Sequence, residues 1–275
     1  MAQSRDTKHD WLQKVSHKHK VFDYIETFAP VAKLNTIRVL LSLATNLDWP
    51  LYQLDVKNGF FNGELEEEVY TRLPPNFEED KKSKIVCKLK KSLYGLKQSP
   101  FAWFERFSKV IKSHGYSQGQ TDHTLFVKHS SNKRVTVPIV YVDDIILTGD
   151  DFNEMEEIKR LMAMEFEIKD LGTMKYFLGM KNARSKKGIS ISQRKYTMDL
   201  LHEIGMLCCK PIETPIEQGG KRKLFDGDPV DKERYQRLVG KLIYLSHTQL
   251  DIAFAVSVVS QYMHSPCQRH FDVVY

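Results

Sequence analysis

The spacing of apolar residues predicts several amphipathic helices along the chain. Between Asn35 and Leu47 the apolar residues recur every three or four positions, which predicts a helix opened by an Asn or Thr cap. Similar spacing predicts helices at residues 100–114, 152–166 and 195–205, and one or two more between 234 and 265.

Short runs of β-branched and aromatic residues predict strands between these helices. The runs lie at residues 50–55, 85–89, 125–129, 135–142 and 145–149, and residues 176–193 have the pattern of a further hairpin. Helices and strands are interspersed without a regular βαβ order. The pattern therefore predicts an α+β fold in which helices pack on an antiparallel sheet.

The composition is typical of a folded, intracellular protein. The chain has 275 residues, 41% of them hydrophobic, which is enough for one large domain or two small ones. No apolar run has the length of a membrane span, so we expect no membrane partner and a location in the cytoplasm or the nucleus. The four cysteines form no CxxC pair and are expected to be reduced.

Shifts in composition divide the chain into four predicted parts. Residues 1–20 are polar and are expected to form a loose arm, and residues 21–210 carry the main globular pattern. Residues 211–234 are rich in Gly, Pro and charged residues and are expected to be a flexible linker. Residues 235–275 are expected to be helical.

Two adjacent aspartates interrupt the apolar segment YVDDIIL. Asp143 and Asp144 lie at the expected turn, although a two-residue hairpin favours Gly or Asn because its central residues need positive φ. A second pair, Asp150 and Asp151, precedes a predicted helix and is expected to cap it. For the first pair two interpretations stand: a solvated turn, or a functional site at which a local folding rule is broken.

A third carboxylate, Asp55, ends the predicted strand YQLDV. Alone, an aspartate at a strand end commonly caps a turn. If Asp55 lies beside Asp143 and Asp144, the three carboxylates repel one another unless cations neutralise them. Shared carboxylates could hold two Mg²⁺ ions about 3.5–4 Å apart, an arrangement that serves phosphoryl transfer in polymerisation or hydrolysis.

A lysine-rich segment lies between Asp55 and the Asp143–Asp144 pair. Residues 81–97 contain seven lysines and no acidic residue. Such a run can simply be a solvated face. Because Tyr94 and Leu96 are interleaved with the lysines, the segment also suits contact with a nucleic-acid backbone. The candidate contacts are Lys88, Lys90, Lys91 and Lys97.

Six segments carry a resemblance to a known family. In chain order they are DYIETFAPVAKLNTIRVLLSLA, QLDVKNGFFNGELEEEVYTRLPPNF, VCKLKKSLYGLKQSPFAWF, YVDDIILTGDD, DLGTMKYFLGM and ISISQRKYTMDLL. From about Asp23 to near His270, the chain resembles the reverse transcriptase domain of Ty1/copia-type retrotransposon polyproteins. The resemblance implies an RNA-directed DNA polymerase with an RNA or DNA template-primer and deoxynucleoside triphosphates as substrates. It also implies two Mg²⁺ or Mn²⁺ ions as cofactors.

The resemblance further implies a right-hand polymerase fold and a role for each motif. Residues 21–210 would form fingers and palm, and residues 235–275 a partial thumb or connection. Asp55 and Asp143 would be metal ligands and Asp144 the third, supporting carboxylate.

The remaining motifs concern the nucleotide and the primer. Phe60 falls where reverse transcriptases hold an aromatic steric gate against the ribose 2′-hydroxyl, with plain core packing as the alternative. Tyr94 and Gly95 match a motif that shapes the nucleotide pocket. Leu178, Gly179 and Met180 resemble the primer-grip hairpin, with a buried strand turned by glycine as the alternative.

The chain departs from the family pattern in one segment. Before DYIETFAPVAK the family carries a basic fingers segment of the pattern KARLVAKG, whose Lys and Arg would bind the incoming triphosphate, and this chain has VSHKHKVF there. The fingers are therefore expected to be incomplete. The chain also stops before the ribonuclease H domain expected downstream, which suggests a truncated copy. The alternative function is thus a catalytically inactive remnant that at most binds nucleic acid.

Overall fold

The computed structural model describes residues 29–72, 86–185, 188–212, 215–216 and 228–275. The predicted arm at residues 1–20 and most of the predicted linker at 211–234 lie outside the described residues. The chain forms two compact units, Met1–Met174 and Lys175–Tyr275. None of the helices in the described part of the chain is long and apolar enough to cross a membrane.

In the first unit the described residues form three α-helices and eight strands, with a short 3₁₀ turn at Gly59–Asn62. They are α1 (Leu34–Asn46), β1 (Leu51–Val56), β2 (Tyr70–Arg72), β3 (Val86–Lys88), α2 (Ser99–Ser113), β4 (Ser117–Gln118), β5 (Phe126–His129), β6 (Val135–Tyr141), β7 (Asp144–Gly149), α3 (Phe152–Glu165) and β8 (Ile168–Thr173). The predicted helices and strands of this region are confirmed to within one or two residues at most ends.

Six of these strands form one antiparallel sheet in the order β4-β5-β6-β7-β1-β8. The short strands β2 and β3 pair separately. The predicted antiparallel sheet with packed helices is therefore confirmed, as a mixed fold compatible with a polymerase domain. The assignment of its parts to palm, fingers and thumb stays a prediction.

The main core lies between this sheet and the helices α2 and α3. Apolar residues of β1 alternate, so Leu54 and Val56 are buried in the core while Gln53 and Asp55 point to the opposite face of the strand. From α2, Trp103, Phe107 and Ile111 are buried at helical spacing, and from α3 Met155, Ile158 and Met162. The central strands are thus fixed in register by buried side chains on one face.

The two helix caps that the sequence predicts have different outcomes. The cap of α3 is confirmed, since the Asp151 carboxylate accepts the Glu154 N–H at 3.2 Å. The prediction that an Asn or Thr residue caps α1 is wrong. That helix begins after Lys33, whose backbone N–H donates to Asp122 Oδ2 at 2.9 Å. The Asp122 carboxylate that accepts this N–H lies 89 residues away along the chain, where local sequence gives no signal.

In the second unit the described residues form three strands and four α-helices, with a short 3₁₀ turn at Leu250–Ile252. They are β9 (Tyr176–Phe177), β10 (Met180–Ser185), β11 (Gly188–Ser192), α4 (Arg194–Glu203), α5 (Lys232–Leu245), α6 (Ala253–Ser260) and α7 (Gln268–Val274). The strands pair antiparallel in the order β11-β10-β9, which confirms the predicted hairpin. Tyr235 and Val239 of α5 are fully buried against Val259 and Phe271.

Candidate active site

Two of the three predicted carboxylates lie directly opposite each other in the sheet. Asp55, near the end of β1, pairs in register with Asp144, the first residue of β7. Side chains that oppose each other in an antiparallel pair have Cβ atoms about 4.5–5.5 Å apart, and like charges placed so are destabilising. The sequence therefore brings two negative charges together at a cost to the fold.

The third carboxylate lies in the turn between β6 and β7. Tyr141 pairs with Asp144, so the two loop residues are Val142 and Asp143. The predicted Asp143–Asp144 turn is thus wrong by one residue. Val142 takes φ +54°, and positive φ at only the first loop residue is typical of a type II′ turn, which normally has Gly there. A β-branched residue in this region is strained.

Two hydrogen bonds hold this strained turn. The indole N–H of Trp103 donates to the carbonyl of Val142 at 2.8 Å. The backbone N–H of Val56, at the end of β1, donates to the carbonyl of Asp143, also at 2.8 Å. The turn is therefore fixed both to helix α2 and to the strand that carries Asp55.

The Asp143 carboxylate lies in a confined environment. Its Oδ2 accepts the Tyr94 hydroxyl at 2.8 Å, whereas its Oδ1 is buried and has no hydrogen-bond partner. A Cβ on Gly59 would come within 2.4 Å of that Oδ1, so only glycine leaves room for the carboxylate. Burial, followed by the charges of Asp55 and Asp144, raises the pKa of Asp143 against the opposing effect of the Tyr94 hydrogen bond.

Asp144 has a hydrogen-bond partner that the sequence analysis missed. Gln53 donates from Nε2 to Asp144 Oδ1 at 2.8 Å and is only 8% exposed. Burial, with a smaller contribution from the charge of Asp55, raises the pKa of Asp144, and the bond from Gln53 opposes that rise. A signal for Gln53 was present, because a polar residue two positions before Asp55 on an apolar strand shares its face.

The ligand atoms of this site, though not their present arrangement, suit a divalent cation. Carboxylate oxygens are the ligands that Mg²⁺ prefers, and a buried carboxylate oxygen without a hydrogen bond is an expensive feature that a cation would satisfy. Within the described ranges, however, no group of three or more His, Cys, Asp or Glu side chains is arranged so that it could hold a metal ion. Instead, Asp143 accepts a hydrogen bond from Tyr94, and Asp144 accepts one from Gln53.

An aromatic cluster adjoins Asp143. The Phe60 and Tyr94 ring centroids are 4.5 Å apart at a tilt of 55°, and Phe61 meets Tyr94 edge-on at 6.2 Å. Phe60 is half-buried and also packs against the main core, so both of its predicted roles are compatible with its position. Burial, with the hydrogen bond to Asp143, raises the pKa of Tyr94 to about 12, and the hydroxyl therefore stays protonated as a donor.

Backbone geometry explains the glycine beside Tyr94. Gly95 takes φ +94°, which favours glycine. The Ser99 hydroxyl donates to the Leu93 carbonyl at 2.6 Å, and the buried Ser92 hydroxyl donates to the Phe60 carbonyl. This loop is thus fixed to the 3₁₀ turn that carries Phe60.

The four candidate lysines are all exposed, on β3 or in the loop that follows it. Lys88 forms an ion pair with Glu68. The lysines that are predicted to contact nucleic acid therefore lie on a solvated surface, where Lys88 already has an ion-pair partner. Lys81, Lys82 and Lys84 lie outside the described residues.

In the second unit, the predicted primer-grip residues form the tip of the β9–β10 hairpin. Phe177 pairs with Met180, and both loop residues, Leu178 and Gly179, have positive φ, at 51° and 72°. This is the pattern of a type I′ turn. Met180 is buried, and the Tyr244 hydroxyl of α5 donates to the Leu178 carbonyl.

Comparison with known proteins identifies the class of molecule to which this fold and site belong. Residues 8–218 match the family described as reverse transcriptase (RNA-dependent DNA polymerase). That match covers more than half of the chain, and the chain therefore belongs to the reverse transcriptase family, as its motifs predicted.

The relatives of this chain are Pol polyproteins of copia-type retrotransposons. It is 39% identical to the Retrovirus-related Pol polyprotein from transposon RE1 of Arabidopsis thaliana, over 92% of this chain and 17% of the relative. It is 38% identical to that from transposon TNT 1-94 of Nicotiana tabacum, over 93% and 20%. Identity to the Transposon Ty1-H Gag-Pol polyprotein of Saccharomyces cerevisiae is 26%, over 91% and 15%. The chain spans a fifth or less of the length of these three relatives.

Proposed function

We propose that this chain acts as an RNA-directed DNA polymerase domain, adding deoxynucleotides to a primer by metal-dependent phosphoryl transfer. The observation that carries the proposal is the in-register pairing of Asp55 and Asp144 beside the strained turn that presents Asp143. Opposed carboxylates and a strained turn both cost stability, and such costs are typical of functional sites. Membership of the reverse transcriptase family supports the same conclusion.

In the proposed reaction the carboxylates act as metal ligands. Asp55, Asp143 and Asp144 would hold two Mg²⁺ or Mn²⁺ ions, which would neutralise charge on the attacking and leaving oxygens. Tyr94 orients Asp143 by hydrogen bonding to Oδ2 and leaves Oδ1 without a hydrogen bond. Gln53 orients Asp144 in the same way.

The other predicted residues would bind the two substrates. Phe60, with Tyr94 and Gly95, would contact the incoming deoxynucleoside triphosphate, and the Phe60 ring would exclude a ribose 2′-hydroxyl. The exposed lysines Lys88, Lys90, Lys91 and Lys97 would contact phosphates of the template-primer. The hairpin tip at Leu178–Met180 would contact the primer strand.

A primer-extension assay on oligo(dT)-primed RNA tests the proposal. With Mg²⁺ or Mn²⁺ present, the chain should extend the primer, and a chelator should stop extension. Asp143→Asn keeps the shape of the side chain but removes its charge, so extension should fall at least about a hundredfold. Asp199→Asn makes the same change at an exposed position on α4 and should leave extension unchanged. Nucleic-acid binding without catalysis, the alternative function, predicts binding but no extension by the parent chain.

The stability of Asp143→Asn separates lost chemistry from lost folding. Because the pKa of Asp143 is raised in the folded protein, its ionisation disfavours folding above that pKa. The penalty begins to decrease as the pH falls through the raised pKa and is gone below the ordinary pKa of an aspartate in the unfolded chain. In chelator at neutral pH, the Asn variant should therefore have a higher free energy of unfolding than the parent. The gain should shrink on acidification. If Asp143→Asn is both inactive and less stable at neutral pH, the assignment of Asp143 as a catalytic carboxylate whose charge destabilises the fold is contradicted.

A further inference from the structure

The strongest unexplained feature near the site is the contact between Trp103 and the Val142 turn. Trp103 is 2% exposed, and its ring packs edge-on against Phe166 at 5.0 Å and at a tilt against Phe107 at 5.8 Å. Packing alone would be satisfied by any large apolar ring. The indole N–H nevertheless donates to the Val142 carbonyl, a group of a loop residue 39 positions away.

The turn needs such a partner because its backbone is strained. Val142 has φ +54° and is 43% exposed, so its own packing contributes little to hold this conformation. A residue in a sparsely populated region of φ/ψ persists only where the surrounding structure fixes it. The Val142 carbonyl, bonded to a buried and closely packed indole, is such a constraint.

The same indole also lies against the residue that makes room for Asp143. A Cβ at Gly59 would come within 3.3 Å of Trp103 Cε2 as well as 2.4 Å of Asp143 Oδ1. Gly59 therefore lies close to both the Trp103 indole and the Asp143 carboxylate. A shift of the indole or of the turn would change where the carboxylate lies.

We propose that Trp103 is a positioning residue for the polymerase reaction: its indole N–H holds the strained Val142 turn and thereby places the Asp143 carboxylate. The inference rests on the proposed function for its catalytic consequence, but not for its structural one. Trp103 does not itself contact the reacting groups. Its effect passes through the Val142 carbonyl to the next residue in the chain.

The test removes the donor while keeping most of the packing. Trp103→Phe retains an aromatic ring in the core, and replacing Trp103 by the benzothiophene analogue of tryptophan retains the full bicyclic shape without an N–H. Phe104→Leu is the matched packing control, since Phe104 is the next buried residue of α2 and packs in the same core. In both Trp103 variants, hydrogen exchange of the peptide covering residues 139–149 should be about three- to tenfold faster, and in Phe104→Leu it should be unchanged.

Kinetics distinguish positioning from mere structural support. Under single-turnover conditions the extension rate of both Trp103 variants should fall about tenfold or more. The amplitude of primer extension, the KM for the nucleotide and the affinity for template-primer should stay near those of the parent. A lower amplitude at an unchanged rate would mean only that fewer molecules fold, and would overturn the proposal. Unchanged exchange of residues 139–149 in the benzothiophene variant would overturn it as well.

A glycine at the turn provides the rescue test. Val142→Gly removes the cost of positive φ, so loss of the indole N–H should have a smaller effect on rate and exchange in that background. An equally large effect in both backgrounds would contradict the role of strain. If the parent chain does not extend primers at all, the proposed function fails, and hydrogen exchange together with Mn²⁺ binding still decides whether Trp103 places Asp143.

Discussion

Phe60 is the residue at which two interpretations of one side chain can be separated. It packs against the main core and lies 4.5 Å from the Tyr94 ring, which in turn bonds to Asp143. Phe60→Ala should open space beside the sugar and raise ribonucleotide incorporation about tenfold or more, with a smaller change in deoxynucleotide use. The measurement is incorporation of each nucleotide by the same primed template.

Phe61 offers the matched control for this prediction. It is the next residue, contacts the same Tyr94 ring and is 39% exposed. Phe61→Ala removes an equal ring and should leave sugar discrimination at the parent level. If Phe60→Ala also leaves it there and only lowers stability, Phe60 is a core residue.

Individual residues also show how far the sequence predicts this site. Asp143 and Asp144 could be singled out because two adjacent carboxylates in an apolar segment break a local rule. Asp55 became a candidate only in combination with them, and Asp55 and Asp144 indeed pair in register. The turn was misplaced because propensity excludes Val at positive φ. Trp103 gave no signal at all, since an aromatic residue on the apolar face of a helix simply predicts core packing, and its hydrogen bond depends on tertiary structure.

At the scale of elements, the β9–β10 hairpin depends on helix α5 for its shape. Gly179, at φ +72°, lies so close to α5 that an added Cβ would be 2.9 Å from the Tyr244 hydroxyl. Gly205 has nearly the same φ, +73°, but an added Cβ there would meet nothing within 4 Å. The two glycines therefore share a backbone requirement and differ in their surroundings.

This pair gives a prediction with its own control. Gly205→Ala should lower the free energy of unfolding by about 1–2 kcal/mol through backbone strain alone. Gly179→Ala should cost more, because the Tyr244 hydroxyl must leave the Leu178 carbonyl. Chemical denaturation measures the free energy of unfolding of both variants. In a Tyr244→Phe background the excess cost of Gly179→Ala should shrink, and an undiminished excess would contradict the contact with α5.

At the scale of the whole molecule, binding and chemistry should respond differently to charge. The candidate contacts with template-primer are spread over several exposed lysines, so the loss of a few charges should weaken a salt-dependent affinity only partly. The triphosphate must instead be neutralised locally as the transition state forms. Each cation positioned there can change the rate by orders of magnitude.

The segment VSHKHKVF at residues 15–22 tests this difference, because the motif resemblance would place it where the family carries KARLVAKG. We expect the chain to bind primed RNA at low salt but to extend it slowly. Replacing residues 15–22 by KARLVAKG should raise the single-turnover rate about tenfold or more, because Lys and Arg would then meet the triphosphate. The affinity for template-primer should change little.

A replacement segment with Ala at the Lys and Arg positions is the control and should not accelerate extension. Rapid extension by the parent chain, or a replacement that improves only binding, would show that these residues do not limit the chemistry.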